Sequence, residues 1–370
     1  MIYLVVNLQK DYMIKDLIVV ELASVLAGPL VGSFFAELGA RVIKIENKKS
    51  GGDITRQWKL PEENVNQTHG AYFSSANTGK ESIFLDLTTP NDYSELKNII
   101  STADIVISNY QKKTAEKLKI DYHAIFEMKK DVIFAQLNAY SYDDPRPGFD
   151  LVMQAESGFI SMNGTKDGEL VKMPVALIDV IAGHQMKEAI LLSLLERDKN
   201  TSQLIMVSLY KSAISALANQ ASNFLMANHV PKPIGLEHPN IAPYGDFIVT
   251  KDEKMLIFSV GSDYQFEKLG KTLKLAEDLR YTFRHNSQRV EKRSLLMKYL
   301  QEICGKMKYE QLSILLSDSK VPFCKVNNLK EVFTDKYAQE MVITETKDGI
   351  ENKKVRNIAF SISQMDQNLN

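Results

Sequence analysis

One carboxylate stands between two apolar stretches in the segment PVALIDVIAG, which runs from Pro174 to Gly183. This residue, Asp179, fits two roles. It can cap a helix that follows a strand, a contact worth about 1 kcal/mol, or it can act as a nucleophile in an apolar pocket. The small residues Ala182 and Gly183 would let a substrate come close and can supply backbone N–H groups for an oxyanion. The position of Asp179 alone leaves both interpretations open.

A glycine turn followed by an arginine forms a second candidate, in the segment GGDITR from Gly51 to Arg56. A flexible turn with a guanidinium suits contact with a phosphate, because arginine binds oxyanions through two parallel hydrogen bonds. The alternative is a solvated turn in which Asp53 caps a helix.

Several common cofactor and catalytic motifs do not occur in the chain. A dinucleotide site needs Gly-x-Gly-x-x-Gly after the first strand, whereas the loop AGPLVG places Pro29 where a phosphate-facing N–H is wanted. Walker A, Gly-x-Ser-x-Gly and His-Glu-x-x-His sequences are also absent. The six histidines lack metal-ligand spacing, and two cysteines exclude a disulfide framework and a multi-cysteine metal site. We therefore expect no metal and no permanently bound cofactor.

Charge and hydropathy exclude further classes of protein. The 370 residues include 45 Lys and Arg against 46 Asp and Glu, so bulk positive charge for nucleic acid is missing. No apolar run approaches the roughly 18–20 residues that span a bilayer. The apolar stretch Ile2–Val6 is short and no basic region precedes it, which argues against a secretory signal. These features predict a cytoplasmic protein with no nucleic-acid or membrane partner.

The elements that must position the candidate residues alternate between strands and helices. A strand over 17–22, a helix through Leu30, Phe34 and Leu38 and a strand over 41–45 form a βαβ unit, with Gly39 at the C′ position of the helix. Further strands are predicted at 82–87, 105–108, 132–137 and 204–209, and helices at 91–100, 179–197 and 209–227. This alternation predicts an α/β fold with a mostly parallel sheet.

The composition changes at His229, where the segment HVPKPIGLEHPNIAPYG holds four prolines. Beyond it, a hairpin over 246–250 and 255–260 and amphipathic helices near 263–276, 290–303 and 308–318 predict a smaller α+β domain. We expect a large α/β domain over 13–228, a small domain over 229–325, and a return of 326–370 to the large domain.

Seven segments occur in order along the chain from about Met13 to about Phe360. They are VLAGPLVGSFFAELGARVIKIE (25–46), GGDITRQW (51–58), NTGKESIFLDL (77–87), ADIVISNY (103–110), RPGFDLVMQAESGFISMNG (146–164), the Asp179 segment PVALIDVIAG (174–183) and HPNIAPYGDFIVTKDEKMLIFSVGSDYQF (238–266). Together they resemble the family III CoA-transferases, also called the CaiB/BaiF family, including its formyl-CoA and succinyl-CoA-dependent members. Many motifs in order at plausible spacing are far more specific than one motif.

The resemblance implies a Rossmann-like large domain, an interlocked homodimer and Asp179 as the catalytic carboxylate. It also implies that coenzyme A and acyl-CoA are substrates and that the partners are a carboxylic acid and a second copy of the chain. Lys48 and Lys80 are further cations available for the phosphates of CoA. The positions expected to bind CoA are Leu26, Ala27, Asn47, Leu85, Thr88, Asn109, Tyr110, Gln111, Lys117, Arg146 and Asp150.

The activity that the resemblance implies is transfer of CoA from an acyl-CoA donor to an acceptor acid through an aspartyl-CoA thioester. One alternative is a racemase of the 2-methylacyl-CoA type, but Phe149 stands where the family's racemases carry a histidine, and it cannot exchange a proton. Another alternative is a catalytically weak CoA-binding homologue, suggested by a chain that stops at Asn370 where members usually continue. Twelve residues precede Met13 without a counterpart in the family, so Met13 is a candidate start.

Overall fold

Six parallel strands form the central sheet of the computed structural model, which describes residues 13–198, 200–347 and 349–362. The expectations placed on residues 1–12 therefore lie outside the described residues. The strands are β1 (Ile18–Leu22), β2 (Arg41–Asn47), β3 (Glu81–Leu85), β4 (Ile105–Ser108), β5 (Ile133–Asn138) and β6 (Gln203–Ser208). Their order is β3-β2-β1-β4-β5-β6, so the winding direction reverses between β1 and β4. The α/β class with a mostly parallel sheet is confirmed.

Helices cover both faces of this sheet. Because strand side chains alternate in direction, Val19 packs in one apolar cluster and Val20 in the other. Gly39 follows the first helix with φ of +93°, as expected for the C′ position. In chain order, the helices up to Ala227 are α1 (Ala27–Glu37), α2 (Ala71–Asn77), α3 (Pro90–Ile100), α4 (Lys112–Leu118), α5 (Tyr122–Met128), α6 (Asp150–Glu156), α7 (Phe159–Met162), α8 (Leu177–Leu195), α9 (Leu209–Ser215) and α10 (Ala218–Ala227); most of α7 belongs to the second unit described below.

The single helix predicted over 209–227 is wrong, since two helices occupy this stretch. The backbone of Ala218 takes a φ of +46°, which interrupts the helical hydrogen bonds between α9 and α10. Apolar residues at four-residue steps continue through the break, because the second helix keeps the same spacing. The pattern therefore could not reveal the interruption.

The chain divides into two compact units. The first contains the described residues up to Phe159, Met173–His229 and those from Tyr337 onward. The second contains Ile160–Lys172 and Val230–Lys336 and holds an antiparallel sheet with the order β7-β8-β9. Its elements are β7 (Tyr244–Val249), β8 (Met255–Ser259), α11 (Asp263–Thr272), α12 (Glu277–Thr282), α13 (Asn286–Glu291), α14 (Arg293–Cys304), α15 (Tyr309–Asp318), β9 (Phe323–Lys325) and α16 (Leu329–Val332).

A C-terminal hairpin belongs to the first unit. Helix α17 (Lys336–Glu340) precedes strands β10 (Val342–Lys347) and β11 (Ile350–Val355), which pair antiparallel. The amide oxygen of Asn352 accepts a hydrogen bond from Ser74 of α2 at 3.0 Å. The ammonium of Lys354 bonds to Glu37 of α1 at 2.7 Å and also to Ser33. The hairpin thus fastens the backs of α1 and α2.

Candidate active site

A pocket of about 330 Å³ opens where the carboxyl ends of β1, β2 and β4 meet. In doubly wound sheets this point, where the winding reverses, is the usual place for a ligand. Four of the predicted CoA positions, Asn47, Asn109, Tyr110 and Gln111, line the pocket. The lining residues are Leu22, Ala23, Ser24, Lys44, Ile45, Glu46, Asn47, Ser50, Gly52, Asp53, Ile54, Asn109, Tyr110, Gln111 and Thr114.

A network of buried charges lies beneath this pocket. Glu21 of β1 joins two ammonium groups, at 2.8 Å from Lys44 and 2.6 Å from Lys80, and the side chains of all three are almost fully buried. Lys44 also pairs with Asp53 at 3.1 Å and donates a hydrogen bond to the carbonyl of Ala23. Burial lowers the pKa of Lys80 to about 7. Lys80 also donates a hydrogen bond to the carbonyl of Pro29 in α1 at 2.8 Å. It is therefore buried within the protein and not available for a phosphate, so that expectation is wrong.

The loop between β1 and α1 is held in a strained conformation. Val25 has a φ of +72°, a left-handed conformation that costs a β-branched residue about 1–2 kcal/mol. The carboxylate of Asp53 accepts the N–H of Val25 at 3.1 Å. The side chain of Asn109 accepts the N–H of Ser24 at 3.1 Å and donates to its carbonyl at 2.9 Å. These contacts fix the direction in which the chain enters α1.

The glycine turn follows the capping interpretation. Asp53 caps the 3-10 helix Ile54–Gln57 by accepting the N–H of Thr55 at 3.0 Å, and it is buried rather than solvated. Arg56 forms two hydrogen bonds with Glu46, at 2.8 and 2.5 Å, and its guanidinium lies 3.8 Å from the ring centroid of Phe73. Arg56 is therefore engaged within the protein, and the phosphate interpretation is not supported.

Asp179 lies in the first turn of α8 and does not cap it. The N-cap residue is Ala176, and no strand precedes the helix, so the capping interpretation of Asp179 is wrong. The residue is 8% exposed. Burial, and then the neighbouring charge of Asp150, raise the pKa of Asp179 to about 7. A carboxylate in this state has the environment of a reactive group more than that of a structural one.

Asp150 approaches the same helix from the start of α6. Its Oδ1 accepts the N–H groups of Ile178 at 2.7 Å and of Asp179 at 3.4 Å. Asp150 thus supplies the cap that α8 lacks locally. The family resemblance implies a CoA-binding position for Asp150, and the structure puts its carboxylate next to Asp179.

Tyr72 of α2 lies near the carboxylate pair of Asp150 and Asp179, and sequence reasoning missed it. Burial raises the pKa of Tyr72, and the negative charges of Asp179, Asp150 and Asp53 raise it further. Its phenol therefore lies within electrostatic reach of both carboxylates of the pair and of Asp53, which lines the pocket. Trp58 packs edge-on against the ring of Tyr72 at 5.0 Å between centroids. No local signal marks Tyr72 in the stretch HGAYFSSAN.

The proposed oxyanion donors do not serve that role. Ala182 and Gly183 lie beyond the four N-terminal residues of α8 whose N–H groups lack a partner within the helix. Gly183 instead allows close helix packing, because a Cβ there would stand 3.1 Å from the carbonyl oxygen of Ala27 in α1. Its small size brings α8 against α1, which begins beside the pocket.

Four further predicted CoA positions lie at the start of α1 or near the end of β3. Leu26 is the N-cap residue of α1, and Ala27 and Leu85 are buried in the core. Thr88 accepts a hydrogen bond from Lys49 at 2.7 Å.

Lys117 and Arg146 are both exposed. Lys117 lies on α4, three residues beyond Thr114 of the pocket lining, and residues at this spacing are neighbours on a helix. Arg146 pairs with Asp144 at 2.7 Å and stacks 3.7 Å from the ring centroid of Tyr140.

Within the described residues, no group of three or more His, Cys, Asp or Glu could hold a metal ion. Nor does the described chain include a helix long and apolar enough to cross a membrane.

The fold and the site together define a doubly wound α/β protein with a pocket at the point where the sheet reverses and a pair of carboxylates, Asp150 and Asp179, at the N-terminus of α8. The family model for CoA-transferase family III matches residues 14–369, and the chain belongs to this family. The family resemblance of the sequence is thereby confirmed.

The chain is similar to curated CoA-transferases. It is 33% identical to the succinate–glutarate CoA-transferase of Agrobacterium fabrum over 331 residues, covering 87% of this chain and 82% of that relative. It is 31% identical to the succinyl-CoA:glutarate CoA-transferase of Mus musculus, covering 86% and 72%. The crystal structure of a CaiB/BaiF family protein from Brucella suis superposes with a TM-score of 0.81 at 32% identity, covering 95% and 93%. The protein is an enzyme of the family III CoA-transferase type.

Proposed function

We propose that this enzyme moves CoA from succinyl-CoA to a short dicarboxylic acid of the glutarate class, with Asp179 as the covalent carrier. The observation that carries the proposal is the buried carboxylate of Asp179, in the first turn of α8 beside a second carboxylate. The two curated relatives, named for succinyl-CoA or succinate and glutarate, support the choice of substrates.

The proposed first half-reaction uses the carboxylate as a nucleophile. An oxygen of Asp179 attacks the thioester carbonyl, a C–O bond forms, and the C–S bond breaks to release CoA thiolate. The thiolate then attacks the side-chain carbonyl of the resulting mixed anhydride, which yields the aspartyl-CoA thioester and frees the donor acid.

The second half-reaction reverses these steps with the acceptor. The acceptor carboxylate attacks the aspartyl thioester and releases the thiolate, which then takes the acceptor's acyl group and restores Asp179. Each intermediate keeps the energy of an activated acyl group, and no proton or electron has to be supplied.

Mutation of the carrier tests this mechanism. We expect Asp179→Asn and Asp179→Ala to abolish transfer while CoA binding, measured by calorimetry, stays near that of the wild type. Asp318→Asn is a matched control, because Asp318 is exposed at the end of α15 in the second unit. Retained turnover in both Asp179 variants would remove this residue from the mechanism.

We further propose that the pocket holds the nucleotide end of CoA and that Lys117 contacts a phosphate. Lys117 supports this assignment because it is exposed one helical turn from the pocket lining. An exposed lysine–phosphate contact contributes about 1 kcal/mol, so Lys117→Ala should weaken CoA binding roughly fivefold. The loss should shrink at high salt and with dephospho-CoA if the contact is to the 3′-phosphate. Lys130→Ala is the control, because Lys130 is an exposed lysine between α5 and β5. Equal affinity of both variants would contradict the assignment.

A homodimer is also proposed, since the lone chain exposes large apolar side chains near the ends of two helices. Leu192 and Leu195 of α8 and Leu225 and Met226 of α10 are more than half exposed. Light scattering after size exclusion should give twice the chain mass, and a monomer at micromolar concentration would contradict it.

The two unpaired cysteines, Cys304 and Cys324, support a reducing, cytoplasmic location.

A further inference from the structure

The cap of α8 comes from a residue 28 positions away in the chain rather than from its own N-terminal turn. Asp150 reaches across from α6, and its Oδ1 accepts the two N–H groups that flank the side chain of Asp179. A cap that served stability alone could come from a Ser, Thr, Asn or Asp at position 176, where this chain has alanine.

The second oxygen of Asp150 is also occupied. It accepts a hydrogen bond from the amide nitrogen of Gln154 at 2.5 Å, and Gln154 is 1% exposed. The amide oxygen of Gln154 in turn accepts the N–H of Met173 at 2.8 Å, which fixes the orientation of the amide. The carboxylate of Asp150 is therefore held in one position by donors on both sides.

This arrangement reverses the usual effect of a helix N-terminus on a carboxylate. An Asp in the first turn is normally stabilised as an anion by the helix dipole and by free N–H groups. Here the N–H groups of Ile178 and Asp179 point to Asp150, so the carboxylate of Asp179 has a fixed anion as its neighbour.

Among the residues that the structure describes, burial and Asp150 raise the pKa of Asp179, and no cation opposes them. Tyr72 approaches from α2, and Asp53 acts on that same phenol. From α1, the uncharged Ala27, Leu30 and Val31 lie nearest to Gly183, one turn further along α8. Lys187 lies two turns along α8, with its ammonium 5.2 Å from the ring centroid of Phe34.

We propose that Asp150 is a positioning residue that holds Asp179 at the N-terminus of α8 and, by its fixed charge, favours the covalent forms of Asp179 over the free carboxylate. This inference rests on the proposed function. Each covalent intermediate of that reaction removes the negative charge of Asp179, and with it the repulsion from Asp150. Asp150 thus raises the free energy of the resting nucleophile and leaves the energy of the acylated enzyme nearly unchanged.

Two variants separate the charge of Asp150 from its hydrogen bonds. Asp150→Asn keeps an oxygen for the N–H groups of α8 but turns an NH₂ group toward the NH₂ of Gln154. In the double variant Asp150→Asn with Gln154→Glu, the new amide NH₂ at position 150 donates to the new carboxylate at position 154. That carboxylate can still accept the N–H of Met173. The negative charge then stands further from Asp179.

Two readouts report the charge effect. The first is the acid limb of the pH profile of kcat/KM, because Asp179 must lose its proton before it can attack. The second is the fraction of enzyme that carries a covalent CoA adduct at a fixed donor concentration. We expect Asp150→Asn to move the acid limb to lower pH by about one unit and to reduce the ratio of adduct to free enzyme about tenfold. The double variant should lie between Asp150→Asn and the wild type.

The outcomes distinguish this inference from the proposed function. Unchanged acid limbs and adduct fractions in both folded variants would overturn the role of the charge and leave Asp150 a helix cap only. If Asp150→Asn does not fold, the double variant decides, and an acid limb equal to that of the wild type overturns the inference. If wild-type enzyme forms no adduct and Asp179→Asn keeps turnover, the proposed function fails first, and this inference fails with it.

Discussion

Replacing the buried carboxylate of Asp179 with its neutral isostere should stabilise the folded protein above neutral pH. The pKa of Asp179 is raised from 3.8 to about 7 in the folded state, by burial first and by Asp150 second. The folded protein therefore binds a proton more tightly than the unfolded chain does. The stabilisation from this proton is complete below about pH 4 and is lost as the pH rises through about 7. Asp179→Asn removes that dependence.

The size of the effect follows from the shift in pKa. A rise of about three units corresponds to about 4 kcal/mol between the two protonation states. Relaxation of the site and entry of water reduce this figure, so a gain of about 2–4 kcal/mol is expected at pH 8. The same variant should have no activity. The carboxylate that the reaction requires would thus lower the stability of the resting enzyme.

Urea unfolding, followed by far-ultraviolet circular dichroism at several pH values, measures this difference. The free energies of unfolding of the wild type and Asp179→Asn should converge toward pH 4 and separate progressively up to pH 8. Asp318→Asn, at an exposed position, should show no such divergence. A variant no more stable than the wild type at pH 8, or a gap that is the same at every pH, would refute the reasoning.

Three further predictions concern the loop between β1 and α1, the helix that follows it and the buried charges beneath them. Gly32→Ala should lower the free energy of unfolding in urea by about 3–5 kcal/mol. The reason is that the new Cβ would stand 2.0 Å from an oxygen of Glu21 and disrupt the buried ion pairs. A loss below about 1 kcal/mol would contradict this prediction, because Glu21 could then move without breaking its ion pairs. Val25→Gly should change stability by less than about 1 kcal/mol, since the relief of its left-handed strain offsets the entropy of glycine. Asp53→Ala should weaken CoA binding, measured by calorimetry, less in the Val25→Gly background than in the wild type, because glycine adopts the left-handed conformation without help from Asp53. Equal losses of affinity in the two backgrounds would mean that Asp53 does not act on CoA binding through Val25.

Local patterns were enough to predict most of the fold. The βαβ unit could be read from apolar runs of strand length, from Pro29 in the first turn of α1 and from Gly39 at its end, because these signals depend only on neighbouring residues. The break at Ala218 could not be predicted, since a positive φ at alanine is set by tertiary packing and leaves the apolar spacing intact.

Only part of the site could be predicted from the sequence, because contacts between distant elements depend on tertiary packing. The family motifs identified the segments that contain Asp179 and Asp150, but the contact between these residues depends on how α6 and α8 pack. Lys80 looked like a surface lysine because its partner, Glu21, lies 59 positions away in the chain. Tyr72 is an ordinary aromatic residue in the sequence and gains its place only when α2 brings it near the carboxylates.

The central claim is that Asp179 carries CoA, and mass spectrometry of the intact protein after incubation with succinyl-CoA tests it most directly. The account predicts a mass increase of one CoA less one water, mapped to the peptide that contains Asp179 and absent from Asp179→Asn. An adduct on another residue, or full turnover by Asp179→Asn with no adduct on either protein, would contradict the account.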